Sequence, residues 1–331
     1  MSGPPVQPQF MSVMRDHALG QIYLAVDSFA HARYVVKELR IAPAIGKEIA
    51  QEIASRFIED AKRLAQAPSS PRFAQVLSVR DEPRKESVVF LEPPGPALMA
   101  YFQSLHSRDS QALVSVAADT LGIYETLERA GIRRINVIPE SFCIGPDGRT
   151  QYLDLHFADY ETCERALPER MWPEDARFLS PEQAAGQPPS AASQVFSLGV
   201  LFYLLARGHT PFEAPSAQAV RNLLRYSEAA SIRKERDDLP ADFADAIDLA
   251  LCRDPIGRPQ SLAEFREAAK LPDPEKTGVS LIAPCASESK AGEFASDEEE
   301  TERLGPPPWL GKAAIAAAIV LAVLLLCFLF L

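Results

Sequence analysis

The sequence lacks the marks of several protein classes. Its five cysteines, Cys143, Cys163, Cys252, Cys285 and Cys327, are odd in number and show no CxxC spacing, so neither a disulfide framework nor a zinc site is indicated. Its 34 Lys and Arg face 45 Asp and Glu, a formal net charge of −11, and form no basic block. Phosphate binding needs clustered cations, so a nucleic-acid partner is excluded. The opening stretch MSGPPVQPQF has no apolar run and is not a signal peptide; residues 1–10 are expected to be disordered. No internal repeat is evident. What is present is 331 residues, 47% of them hydrophobic, enough for a sizeable core in one large or two modest domains.

The far end of the chain reads differently. Residues 313–331, AAIAAAIVLAVLLLCFLFL, hold no charged residue over nineteen positions. At about 1.5 Å per residue this is close to the roughly 30 Å of a bilayer core. With Trp309 and Lys312 just before it, the segment is expected to be a transmembrane helix, a single-pass C-terminal anchor leaving the rest of the chain facing the cytoplasm. Residues 272–310 are rich in Pro, Ser and Glu, with nine acidic residues against Lys276, Lys290 and Arg303, a net of −6. Such a stretch buries too little apolar surface to offset its ordering entropy and is expected to be a disordered acidic linker.

Between these ends lie two kinds of segment. GQIYLAVD (20–27), ARYVVKEL (32–39) and SVVFLE (87–92) are short and β-branched and read as strands, while residues 46–67 repeat apolar positions at helical spacing. Beyond Ala97 helices dominate: residues 113–131 are amphipathic, and 193–208 are apolar nearly all round and expected to be buried. Between helices, FCIGPDGRTQYLD carries a tight hairpin signal in PDG.

In this order the segments resemble a protein Ser/Thr kinase domain of the type common in bacteria, from about Met14 to Lys270. GQIYLAVD resembles the end of the glycine-rich loop and its following strand, and YVVKEL the strand that bears the V-A-I-K lysine, here Lys37. RFLSPEQAAGQPPSAASQVFSLGVLFYLLARGHTPF (177–212) resembles the end of the activation segment with its buried helix, and CRDPIGRPQSLAEF (252–265) a late element of such domains. The resemblance implies an α+β, two-lobed protein-kinase-like fold over 11–271, with a β-rich N-lobe (11–92) and a helical C-lobe (97–271), followed by the transmembrane helix. It also implies a buried ion pair between Glu182 and Arg258.

The same resemblance locates the chemistry. The G-x-G-x-x-G positions are Arg15, His17 and Gly20, so only the third glycine of the phosphate cradle remains. Lys37 would meet the nucleotide phosphates, with Glu59 or Asp60 as its carboxylate partner; the pattern favours Asp60. The loop H-R-D-x-x-x-x-N falls on 134–141, with Arg134 for His, Ile135 for Arg, Asn136 for the catalytic Asp and Ser141 for the metal-binding Asn. Asn136 carries no charge and cannot take a proton, and Ile138 stands where a lysine would steady the transferred phosphoryl group. Asp154 in DLH takes the D-F-G place, either as a Mg²⁺ ligand or as a hairpin-end acceptor of backbone hydrogen bonds. Glu174 and Asp175 replace Gly-Thr before the S-P-E element, and Gln194 replaces the Asp that braces the catalytic loop.

The losses fall on catalytic positions and the scaffold positions persist. The resemblance therefore implies a pseudokinase, a membrane-anchored kinase-like domain that binds or regulates a protein partner, such as an active kinase, with ATP and Mg²⁺ held weakly if at all. The alternative it leaves open is an active Ser/Thr kinase with a divergent catalytic loop, and a nucleotide sensor without transfer is a third reading.

Overall fold

Short β-branched runs at 20–27, 32–39 and 87–92 supply the inner strands of a sheet, with a helix between the second and third. The computed structural model describes residues 9–27, 32–66, 72–105, 109–158, 160–167 and 176–273. Strands β1 (Gln9–His17), β2 (Gly20–Val26), β3 (Arg33–Leu39), β4 (Val76–Arg80) and β5 (Ser87–Leu91) form one antiparallel sheet in the order β1-β2-β3-β5-β4. β2 and β3 pair without a slip from Gly20↔Leu39 to Val26↔Arg33. Side chains alternate across a strand, so Val35, Lys37 and Leu39 share one face. The flanking Val35 and Leu39 join the lobe's main core with Ile53, Phe57 and Phe90, while Tyr34 and Val36 pack on the opposite face with Ala25 and Val89.

Helix α1 (Lys47–Gln66) covers the first face because Ile53, Phe57, Ile58 and Ala61 recur on one stripe and are buried. Beyond the sheet come α2 (Leu98–Ser104), α3 (Ser110–Arg129), a hairpin of β6 (Phe142–Ile144) and β7 (Thr150–Tyr152), α4 (Tyr160–Ala166), α5 (Pro181–Ala184), α6 (Ala191–Arg207), α7 (Ala217–Tyr226), α8 (Ile232–Glu235), α9 (Ala241–Ala250) and α10 (Leu262–Ala268). Helix α6 lies at the centre of the helical core. A Cβ on its Gly199 would stand 2.9 Å from the Ala250 Cβ, so glycine is what lets α6 and α9 meet. The α6 terminus is set by Gly208 in the left-handed region, φ 81°, whose N–H returns to the Leu204 carbonyl.

The hairpin is fixed from both ends. Gly148 takes φ 73° at its tip, and Arg149 Nη2 donates to Asp119 Oδ1 of α3 at 2.8 Å while the Thr150 N–H donates to Asp119 Oδ2 at 2.9 Å. Past β7 the chain leaves the helical core: Leu153, Leu155 and Phe157 pack into the core beneath the sheet. Residues 153–157 thus stitch the two lobes together, and the site lies there.

One expectation is corrected. The transmembrane helix expected over 313–331 has no support: among the described residues no helix is long and apolar enough to cross a membrane, and 313–331 lies outside them. The helices that are long enough are built for a protein core. α1 and α3 each have 20 residues but carry charges on their outer faces, and the most apolar helix, α6, has 17 residues and buries them within the helical lobe. The fold is α+β with a β-rich N-terminal sheet and a helical second lobe, and the single-pass C-terminal anchor and the membrane localisation built on it do not stand. The expected linker beyond Asp273 and residues Glu174 and Asp175 also lie outside the described residues.

Candidate functional site

At the junction of the lobes four charged side chains meet. Lys37 Nζ on β3 donates to Asp154 Oδ2 at 2.9 Å and to the His156 carbonyl at 2.9 Å. Arg134 holds the other side of the same carboxylate, Nε to Oδ1 at 3.2 Å and Nη2 to Oδ2 at 3.1 Å, while its Nη1 donates to Asp60 Oδ2 on α1 at 2.7 Å. The lysine's carboxylate partner is therefore Asp154 rather than Asp60, because the long Arg134 side chain occupies the space beside Asp60. Glu59 lies on the exposed side of α1, near Arg63. The quartet is neutral as a whole, and the side chains of Lys37, Arg134 and Asp154 are at most 6% exposed.

Asp154 is saturated. A carboxylate has about four lone-pair directions, and this one also meets the Tyr152 hydroxyl at 3.2 Å and the His156 N–H at 3.4 Å. Burial by itself would raise its pKa, but Arg134 and Lys37 outweigh burial and hold it well below the usual carboxylate range. Burial lowers the Lys37 ammonium from the ordinary lysine value, with Asp154 pulling the other way. The Lys37 ammonium also sits 5.0 Å from the Phe57 ring centroid. His156 Nε2 lies 2.9 Å from the Asn136 carbonyl, which can only accept, so Nε2 carries the proton. Burial lowers the imidazole pKa while Asp154 pulls the other way, and Nδ1 lies 3.3 Å from Asp154 Oδ1 and 3.4 Å from the Tyr152 hydroxyl.

The catalytic-loop positions are tied up in structure. Asn136 Nδ2 donates to the Phe178 carbonyl at 3.1 Å, and Gln183 Nε2 on α5 donates to Asn136 Oδ1 at 3.0 Å. Both ends of the amide are thus engaged by residues 178–183, which fixes its orientation, and being uncharged it can accept a hydrogen bond but not a proton. Gln194 Nε2 on α6 donates to the Arg134 carbonyl at 2.9 Å and Ser197 Oγ accepts the Val137 N–H at 2.9 Å, so the loop is braced through its backbone. Ser141 is buried, and its hydroxyl has no hydrogen-bond partner among the described residues. Ile138 packs against the core beneath the sheet.

The β1–β2 turn, where the resemblance places a phosphate cradle, is filled in the same manner. The turn between β1 and β2 has two residues, with His17 paired to Gly20, and its Leu19 is fully buried. The Phe157 ring lies directly beneath: His17 stacks on it at 5.4 Å and Phe57 at 6.1 Å. A Cβ at Gly20 would stand 2.3 Å from Phe157 Cε1 and 2.3 Å from the Glu38 carbonyl oxygen. Arg15 reaches across to Glu140 at 3.6 Å. Magnesium needs one or two carboxylates it can address, and a nucleotide needs exposed backbone N–H groups. A saturated Asp154 and a turn filled by Phe157 provide neither, so the residues present do not fit a magnesium-bound nucleotide. Gly20 serves packing, and Gly20→Ala is expected to cost about 1 to 3 kcal/mol through overpacking against backbone; urea unfolding at constant m-value measures it.

Further along, Glu182 and Arg258 meet in a bidentate pair, Nη1 to Oε1 and Nη2 to Oε2, both 2.8 Å. This pair joins α5 to the segment before α10. Among the residues that carry the site, sequence reasoning treated Arg134, His156 and Phe157 as losses or passed over them, and it missed Tyr152 and Gln183. A cation at a loop position next to two candidate carboxylates was the signal available for Arg134. No local signal pointed to Gln183, whose partner lies 47 positions away.

No model of a known protein family matches the chain. Against known proteins it is 29% identical to the serine/threonine-protein kinase PknL of Mycobacterium tuberculosis (strain ATCC 25618 / H37Rv) over 147 residues, which is 44% of this chain and 37% of that protein. It is 28% identical to the serine/threonine-protein kinase PknK of the same strain over 164 residues, 48% of this chain and 14% of that protein. It is 22% identical to the serine/threonine-protein kinase PrkC of Bacillus subtilis (strain 168) over 263 residues, 78% of this chain and 39% of that protein. The chain therefore spans less than half the length of each of these relatives. Its similarity to Ser/Thr protein kinases is modest in identity, yet with a β-rich lobe, a helical lobe and Lys37 meeting Asp154 at their junction it supports a protein-kinase family for this chain.

Proposed function

We propose that the protein is a pseudokinase, a kinase-like domain that does not transfer phosphate and serves as a binding or regulatory module for a protein partner. The observation that carries this reading is the capture of Asp154 between Lys37 and Arg134, with Arg134 also holding Asp60. Phosphoryl transfer uses the counterparts of these groups to hold metal and phosphates; here they neutralise one another. Asn136 supports the same reading, because its uncharged amide cannot take a hydroxyl proton and is held in place by Gln183 and Phe178. What remains intact is the scaffold, which suits a recognition role.

An active Ser/Thr kinase with a divergent loop is the second reading, favoured by the adjacency of Lys37 and Asp154 and by the similarity to serine/threonine-protein kinases. The two separate in one experiment. The full-length chain, checked by mass spectrometry for contaminating kinases, is incubated with Mg²⁺ and ATP labelled in the γ-phosphate, alone and with a generic protein substrate. The expected result is no incorporation above that of the Lys37→Met variant. Incorporation that Lys37→Met abolishes would establish the kinase reading and end the pseudokinase one.

A further inference from the structure

Two carboxylates at the lobe junction, Asp60 on α1 and Asp154 after β7, are bridged by one guanidinium. Arg134 Nη1 reaches Asp60 Oδ2 at 2.7 Å and its Nε and Nη2 reach Asp154 at 3.2 and 3.1 Å. Arg134 is only 6% exposed and stays charged, since the two carboxylates together outweigh the effect of burial. Lys37 neutralises one carboxylate and cannot neutralise both, and Arg63 Nη1 reaches Asp60 Oδ1 only at 3.6 Å from a half-exposed position. We infer that Arg134 is an internal, permanently bound cation that takes the place of a divalent metal ion at this site, and so makes the closed arrangement of the two lobes independent of metal. The inference rests on the pseudokinase reading and adds the residue responsible for it.

The physical grounds are charge and access. An arginine cannot lose its proton and presents five donors in a planar fork that matches carboxylates. A hydrated Mg²⁺ would need the same oxygens and is excluded while the fork is there. A cavity of about 220 Å³ borders Asp60 and Arg134 and is also lined by the exposed Glu59 and Arg63. Removing the guanidinium therefore leaves Asp60, which borders this cavity beside the half-exposed Arg63, open to hydrated ions, with Asp154 behind the space Arg134 had filled.

The test uses the full-length chain and its Arg134→Gln, Arg134→His and Arg134→Lys variants, each melted in 10 mM MgCl₂ or MnCl₂ and in NaCl of equal ionic strength. The parent and Arg134→Lys are expected to melt at the same temperature in all three salts. Arg134→Gln and Arg134→His should melt roughly 6 to 20 °C lower in NaCl, as a buried carboxylate left short of a partner implies. They should regain several degrees in the divalent salts, because an ion that binds only the folded state stabilises it by mass action. A purely packing role for Arg134 predicts the same loss with no difference between salts, and that result overturns the inference. So does a parent that gains as much as the variants, or a failure of both neutral variants to fold in divalent salt. The readout is independent of phosphate transfer, so transfer by the parent would remove the proposed function without deciding this result.

Discussion

Asp154→Ala is expected to destabilise the protein by about 3 to 5 kcal/mol, the usual cost of leaving buried charges unpaired. The variant would leave Lys37, 3% exposed, with no carboxylate and set it against Arg134, 6% exposed and still held by Asp60, across the space the Asp154 carboxylate had filled. Where the same aspartate faces a metal ion, its loss would be read mainly in activity; here it is read in folding. Thermal or urea unfolding of parent and variant measures the difference, with unchanged m-values showing that the unfolded state is comparable. The pH dependence provides a second reading of the same residue. Burial opposes ionisation, but Arg134 and Lys37 depress the folded-state pKa of Asp154 well below its unfolded value of about 3.9. Its contribution is therefore present above about pH 4 and is lost as pH falls further, when the unfolded chain takes up a proton that the native state refuses. The gap between parent and Asp154→Ala should narrow on acidification below about pH 4; a gap that stays constant would place the stabilisation elsewhere.

Arg258→Ala should be comparably severe, about 3 to 5 kcal/mol, for a different structural reason. The guanidinium side chain is fully buried and all five of its N–H donors are used. Nη1 donates to Glu182 and the Ala192 carbonyl, Nη2 to Glu182 and the Arg253 carbonyl, and Nε to the Cys252 carbonyl. Its charge also lies 4.8 Å from the Phe196 ring centroid on α6. Truncation would leave those carbonyls and the Glu182 carboxylate without their donors. Glu182 would keep only the Ser193 hydroxyl at 2.6 Å among the contacts named here. Arg258→Lys should recover only part of the loss, since one ammonium cannot reproduce a five-donor fork. A melting temperature for Arg258→Ala equal to that of the parent would show that the pair contributes nothing to the helical lobe.

Much of the frame was legible in the linear pattern. The apolar stripe of residues 46–67 becomes α1, the nearly uniform apolar run at 193–208 becomes α6, and PDG becomes the tip of the β6–β7 hairpin, because each follows from local periodicity or turn chemistry. The outer strands were harder to see. β1 begins at Gln9, where its residues are exposed and show no clean alternation, and β4 is only five residues long. The membrane helix expected at 313–331 illustrates the limit of reading composition alone: apolar length is a criterion for spanning a bilayer, yet no helix among the described residues meets it.

The candidate site was legible only as a set of positions. That Asn136, Ile138 and Ser141 stand where a kinase has its catalytic base, a cation and a metal-binding amide is what the resemblance implies, and residue identity alone decides that Asn136 carries no charge. Who partners whom was decided in three dimensions. Lys37 and Asp154 are 117 positions apart, Arg134 and Asp60 are 74 apart, and Asn136 and Gln183 are 47 apart. Chain order cannot say which of several carboxylates an arginine will reach. The fold brings Arg134 between Asp60 and Asp154 and sets Phe157 beneath Gly20, and by doing so joins residues from distant parts of the chain into one buried, charge-balanced cluster between the lobes.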